Sequence, residues 1–535
     1  MLVLTGSFLV LPVHLPAVPR TGEAVAGPAP LTGGTLIYGK PKDAVKLDPH
    51  NVTDGESFDV TRQIFDTLVQ FREGTTEVEP ALATSWRVSR DGLAWTFMLR
   101  RGVRFHDGTP FTAKAVVTSF ERQMFKHHPH HRGPFEYWAS MFGGYPGIVT
   151  RVRALDEQTV RFELSRPSAP FLANLAMPFA AIMSPAALER YGEDIFKHPI
   201  GTGPFSLVEW LPNERVVLQA NRGHWAGRPY LDRLIFKPIL ENSVRLLELE
   251  AGTIHGMHGI NTDDVPRIQR NPALVLHTQT GMNVGYLAFN TEKPLFRDRR
   301  VRQALSHAVD KARLVKGLFG AYGVPAQTPL PPVIWGHHEG IRPYTYDPER
   351  ARRLLAEAGH PRGFRADLWA MSVARPYMPD ARKVAEVLQA QFRAVGVEVR
   401  IVSYEWGAYL ERSRNGEHDM LLLGWTGDNG DPDNFLYTLL SSDAAVRGSA
   451  NNLAFFRDRR LDDVLRRAQA LNTREERAPL YRKAQELIHE EAPWIPLVHS
   501  VQLGAVRRGV RGYALNPTGD HRFHRVWLEQ PGGRP

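Results

Sequence analysis

Not one cysteine occurs in 535 residues. The fold must therefore be held by packing and hydrogen bonds, without disulfides. Its chemistry must do without thiol nucleophiles, cysteine-ligated zinc or iron–sulfur clusters. A chain this long exceeds one ordinary core and points to two or three domains. Hydrophobic residues at 43% and charged residues at 23% can build such cores, and they exclude general disorder. A mean hydropathy of −0.31 excludes a multi-span membrane protein. The formal charge is +9, but both signs are scattered with no long basic run. No nucleic-acid partner is expected from that pattern.

Leu2 to Val18 are mostly apolar, yet they include two prolines and His14 and fall short of the ~20 residues that a bilayer requires. The small triplet Ala24-Val25-Ala26 follows. Together they predict a secretory signal over 1–26, cleaved near Ala26. No Lys or Arg precedes the apolar run, and a buried first strand is the competing reading. Without cysteine there is no residue to carry a lipid anchor. The mature chain is expected as a free periplasmic monomer.

Downstream, periodicity alternates between two and 3.6. TLIYGK at 35–40 reads as a strand, and 57–72 as a helix followed by a strand. Trp95, Phe97 and Leu99 share one face of AWTFML, and VRFEL at 160–164 alternates in the same way. FSLVEW, ERVVLQA and LDRLIFKPI are further strands between Gly, Pro and Asn turns. From about 290 helices and strands alternate. Asp347-Pro348 opens a helix whose apolar face is Ala351, Leu354, Leu355 and Ala358, and Gly359 ends it. Val384, Val387, Leu388, Phe392 and Val395 form a second stripe, with VEVRIV as the next strand. Thr473 to Glu476 is a capping box. No long linker interrupts this α/β pattern, which suggests domains sharing strands.

Catalytic signatures are absent. There is no P-loop, no G-x-S-x-G elbow and no H-E-x-x-H. The acidic run Asp428 to Asp433 fits no calcium-loop register. KHHPHHRG places His127, His128, His130 and His131 within five positions. Pro129 prevents a helical ligand pair and no carboxylate lies nearby, so a solvated loop without a resident metal is expected. No cofactor is expected.

Several blocks resemble the family of solute-binding proteins that serve bacterial peptide importers of the ABC class. They are 78–122 (VEPALATSWRVSRDGLAWTFMLRRGVRFHDGTPFTAKAVVTSFER), PIGTGPF at 199–205, NVGYLAFN at 283–290, VRQALSHAVDK at 301–311 and WAMSVARPYMPDAR at 369–382. The most specific is YEWGAYLERSRNGEHDMLLLGWTGDNGDPDNF at 404–435, which is similar to the dipeptide-binding branch. The resemblance runs from about Thr35 to about Leu528. It implies an α/β, two-lobed periplasmic-binding-protein-like fold of the class II, peptide-binding type, with an extra N-terminal subdomain. Residues 27–280 and 499–535 would form lobe I, with the subdomain inserted at about 65–198, and 281–498 would form lobe II. The implied function is capture of dipeptides or short peptides between the lobes, for delivery to a membrane permease and its ATPase subunits. No catalysis is implied. Relatives of this kind also take haem, glutathione or nickel chelates, and a periplasmic hydrolase is a more remote reading. The branch carries disulfides where this chain has other residues, Gly39 among them. Core packing has to replace them.

A free dipeptide is a zwitterion with ends roughly 7 Å apart when extended. A buried site must offer it one carboxylate and one guanidinium. The resemblance implies Asp428 for the ammonium and Arg375 for the carboxylate. A helix–strand unit separates them, so both could lie on loops at one sheet edge. By residue type alone, Arg375 reads equally as a surface arginine and Asp428 as a turn residue. Trp406 and Trp425 flank the region as walls or as core. Tyr377 could hydrogen-bond a ligand end. Thr53 and Gly55 belong to a loop that the resemblance places against the ligand, although Asp54 and Glu56 stand where smaller polar residues are usual.

Overall fold

The computed structural model describes residues 29–529. The expected signal segment lies outside them. Among the described residues no helix is long and apolar enough to cross a membrane.

A twelve-stranded sheet runs through the molecule, and its axis is the fourteen-residue strand Trp494–Arg507. The first part of this strand pairs antiparallel with Asn283–Phe289 (Ala288 opposite Trp494, Gly285 opposite Val498). Beyond that partner come Met420–Thr426, Phe364–Trp369 and Val397–Val402. The second part pairs with Leu274–Thr280, from Thr280 opposite Val501 to Leu274 opposite Arg507. On that side follow Gly256–His258, Thr35–Lys40, Arg233–Pro238, Arg215–Ala220 and Phe205–Leu211. A separate four-stranded antiparallel sheet holds Ala83–Val88, Ala94–Leu99, Thr159–Leu164 and Val149–Asp156.

The cores follow the sheets. One takes all its buried members from Met282 to Val498. A second is assembled from Leu36–Phe65, Ala181–Phe236 and Val506–Leu528. A third, Leu68–Ile182, lies on the four-stranded sheet and includes the inward row Trp95, Phe97 and Leu99. Met183, Leu188 and Ile195 pack into the second core, not the third, so the third core stops short of 198. The Asp347 and Thr473 caps form as the sequence predicts, accepting from Arg350 N and Glu476 N.

Where the chain passes from Leu274–Thr280 into Asn283–Phe289, it is tied to the long strand. Asn283 Oδ1 accepts from Ser500 N (2.9 Å), and Asn283 Nδ2 donates to Ser500 O (3.2 Å). Gly281 N also donates to Ser500 O. A side chain at Gly281 would collide with that carbonyl oxygen. These hydrogen bonds fasten the crossover between the two parts of the sheet to the long strand.

Candidate functional site

Phe364–Trp369 and Met420–Thr426 are neighbouring parallel strands, with Trp369 opposite Leu421. The chain leaves the first into Arg375 and the second into Asp428, so both residues emerge at the same sheet edge. Such an edge, at the carboxyl ends of parallel strands, is where α/β sheets bind ligands.

Arg375 sits in a tight turn in which Arg375 N donates to Met378 O (3.1 Å) and Met378 N to Arg375 O (2.9 Å). Its guanidinium lies 5.2 Å from the centre of the Trp406 ring, a cation–π shelf. Trp406 itself stacks on Tyr409 (5.9 Å, 17°). Arg375 forms no ion pair among the described residues. Tyr377 is buried, and its ring covers Gly424, where a Cβ would collide with it. Glycine in that strand therefore makes room for the tyrosine. Burial pushes the Tyr377 hydroxyl up to about 12, which keeps it neutral.

Asp428 is held from two sides. Tyr137 donates its hydroxyl to Oδ1 (2.8 Å), and Asn434 Nδ2 donates to Oδ2 (3.2 Å). Asn434 Oδ1 in turn accepts from Asp428 N and Trp425 Nε1, both at 3.0 Å. One asparagine thus fixes the carboxylate and the indole together. Asp428 retains some solvent-accessible surface, but its carboxyl is walled in by protein. That desolvation pushes it up to about 6 against the two hydrogen bonds. It has no cationic partner among the described residues.

Tyr137 belongs to the helix Glu136–Phe142 beside the four-stranded sheet. It stacks on Phe179 (5.8 Å, 10°) and meets the Phe58 edge (5.5 Å). Its bond to Asp428 therefore joins the two halves of the molecule. Asn429 Nδ2 to Asn174 Oδ1 (2.8 Å) and Arg166 Nη1 to Gln469 Oε1 (3.1 Å) span the same seam. The halves are closed on each other. Phe58 lies on the helix Gly55–Ile64, whose N-cap is Asp54, accepting from Ser57 N at 2.8 Å. Thr53 and Gly55 are exposed at that end, with open space where a Gly55 side chain would go. The structure gives Asp54 a capping role, which accounts for an acid in that loop.

The acidic run divides by function. Asp431 takes both arms of Arg477 (2.6 and 2.7 Å), and both residues are buried. Both oxygens of Asp433 accept from Gln469 Nε2 at 3.0 Å. These two acids hold the loop, and Asp428 accepts a hydrogen bond across the seam from Tyr137. Tyr137, Asn434 and Asn174 went unnoticed in the sequence, and no local pattern marks them. The four loop histidines do not converge. His128 Nδ1 accepts from His130 N, and His131 Nδ1 lies 2.8 Å from Arg122 O. A cavity of about 220 Å³ beside Arg62, Asp66, Trp225 and Arg522, and a smaller one of about 20 Å³ beside Lys311 and His489, lie away from Arg375 and Asp428. The pair is distinguished by charge and placement, not by volume.

Residues 77–446 match the bacterial extracellular solute-binding proteins, family 5 Middle. The chain belongs to this family. It is 41% identical to the dipeptide-binding protein of Escherichia coli, over 92% of this chain and 95% of that one. It is 38% identical to haem-binding protein A of Haemophilus influenzae, over 93% of each. Among solved structures, an ABC transporter-associated periplasmic binding protein from Helicobacter pylori in complex with the peptide STSA superposes with a TM-score of 0.82. That structure is 39% identical and covers 94% of this chain and 99% of its own. The expected two-lobed α/β architecture is that of these neighbours. Family members bind solutes and are not enzymes, so the hydrolase reading falls away.

Proposed function

We propose that this protein is the substrate-binding component of an ABC importer. It captures dipeptides or short peptides between its lobes and presents them to a membrane permease with its ATPase subunits. The observation that carries this reading is a pair of opposite charges at one sheet edge, each without a counter-ion. Arg375 lies over Trp406 and Asp428 is capped across the seam by Tyr137. An ammonium at Asp428 and a carboxylate at Arg375 would complete both. Trp425 and Trp406 would wall the site, Tyr377 would border it, and Thr53 and Gly55 would lie at its lip. Peptide-binding relatives support the ligand class.

Lobe I is assigned to 27–280 and 499–535, with the subdomain inserted near 65–198, and lobe II to 281–498. The separate cores and the Asn283–Ser500 crossover support these limits. The mature protein is assigned to the periplasm as a monomer, released by cleavage near Ala26 and without a lipid anchor. The haem-binding relative keeps a second ligand class in view, but unpaired charges of both signs favour a zwitterion.

Calorimetric titration tests the clamp. Truncating one partner of a buried charge pair costs on the order of 2–5 kcal/mol, or roughly 30- to several-thousand-fold in affinity. Asp428→Asn should lose free dipeptides by such a factor and N-acetylated dipeptides far less. Arg375→Ala should mirror this with C-terminal amides. Binding of free dipeptides within a few-fold of wild type in Asp428→Asn refutes the clamp.

A further inference from the structure

Away from the seam, inside the half of the molecule that carries Thr35–Lys40, three ligand-type side chains from distant parts of the chain meet. Asp59 comes from the helix Gly55–Ile64, His258 ends the strand Gly256–His258, and His521 lies in the C-terminal segment. One ligating atom from each lies within 4.8 Å of the others. Asp59 and His521 are 6% and 2% exposed. We propose that these three residues form a site for a divalent transition metal of the zinc type, with the fourth position left to water.

The imidazoles are arranged for this. His521 Nδ1 lies 3.1 Å from the Tyr513 hydroxyl, which is itself 2.7 Å from that of Tyr38. That contact fixes the ring and leaves Nε2 for a ligand, the outer-shell pattern that orients metal-bound histidines. His258 Nδ1 is buried with no hydrogen-bond partner. Leaving a buried nitrogen unpaired is unfavourable, and a metal ion would remove that cost. The His258 ring is stacked against Tyr38 (5.7 Å, 18°) and lies 4.7 Å from His521.

Ligand atoms around a tetrahedral ion at ~2.0–2.1 Å are roughly 3.4 Å apart. With the three atoms within 4.8 Å of one another, binding an ion would draw them together by at most about 1.4 Å. Two imidazoles and a carboxylate suit zinc better than calcium or magnesium. The opposing feature is Lys40, a buried cation near Asp59 whose Nζ donates to the Glu56 carbonyl oxygen. It would compete with the ion for the carboxylate. Bound metal would tie the helix, the strand and the C-terminal segment together in a chain that has no disulfide.

The test uses the full mature chain, stripped with a chelator, incubated with Zn²⁺ and separated from free metal. Elemental analysis gives the stoichiometry, and thermal melting gives the stabilisation. The expected result is about one zinc per chain and a raised melting temperature. Both should be lost in His258→Gln and His521→Gln, and both should survive replacement of His127, His128, His130 and His131. His258→Gln breaks no bond at Nδ1 and keeps the test interpretable if His521→Gln fails to fold. Lys40→Met should tighten binding. Absence of stoichiometric zinc from wild type, or zinc that persists in His258→Gln, overturns the proposal.

Discussion

Lowering the pH from 7.5 to 5 should weaken dipeptide binding about tenfold, and Asp428 should account for the loss. In the ligand-free closed form, desolvation holds its carboxyl at about 6, above the ordinary aspartate value of 3.8. An ammonium ligand needs the ionised form and, once bound, holds the carboxyl ionised to much lower pH. Affinity is therefore full above pH 6 and falls as pH drops through that value. The factor is one plus ten to the power of the pKa minus the pH. It is close to one at pH 7.5 and about 11 at pH 5, or ~1.4 kcal/mol. The ligand's carboxyl, near 3.3–3.7, stays ionised across this window, and its amine, near 8, is about a quarter deprotonated at pH 7.5, an effect of less than twofold and of opposite sign. Tyr137, the nearest titratable neighbour, is pushed far above its ordinary value by burial and by Asp428, and stays neutral throughout. Isothermal titration at half-unit steps from pH 5 to 7.5 gives the profile. Asp428→Asn should bind weakly and with no slope in this range. A slope that survives in Asp428→Asn, or a flat wild-type profile, refutes the reasoning.

Two further substitutions probe the frame around the pair. Gly424→Ala puts a methyl group into the Tyr377 ring. It should cost roughly 1–3 kcal/mol of stability and weaken peptide binding by moving the Arg375 turn, measured by thermal melting together with titration. Arg477→Met strands Asp431, buried and otherwise bonded to both arms of the arginine. It should destabilise by about 3–5 kcal/mol in denaturant melts, and adding Asp431→Asn should restore much of that loss.

The framework was legible because burial writes itself into local periodicity. The row Trp95, Phe97 and Leu99 and the capped helix at Pro348 emerge where the pattern places them. The site was legible only in part. Asp428, Asp431 and Asp433 look alike in the sequence. Only the fold shows that Arg477 and Gln469 engage the latter two. Tyr137 is 291 positions from Asp428, and a contact across two closing halves leaves no mark on either segment. Gly424 reads as a weak point in a strand, yet it is the space that the Tyr377 ring fills. Asp59, His258 and His521 come from three segments far apart in the sequence, whereas the conspicuous cluster at 127–131 does not converge.

The most direct measurement of the central claim is the mass of whatever the native protein carries. Protein purified from its own source without added ligand should be denatured and the released small molecules analysed by mass spectrometry. The account predicts peptides of two to a few residues with free amino and carboxyl ends, near one per chain. They should be absent from a parallel preparation of Asp428→Asn. Release of haem, glutathione or a metal chelate instead, with no peptide above background, would contradict it.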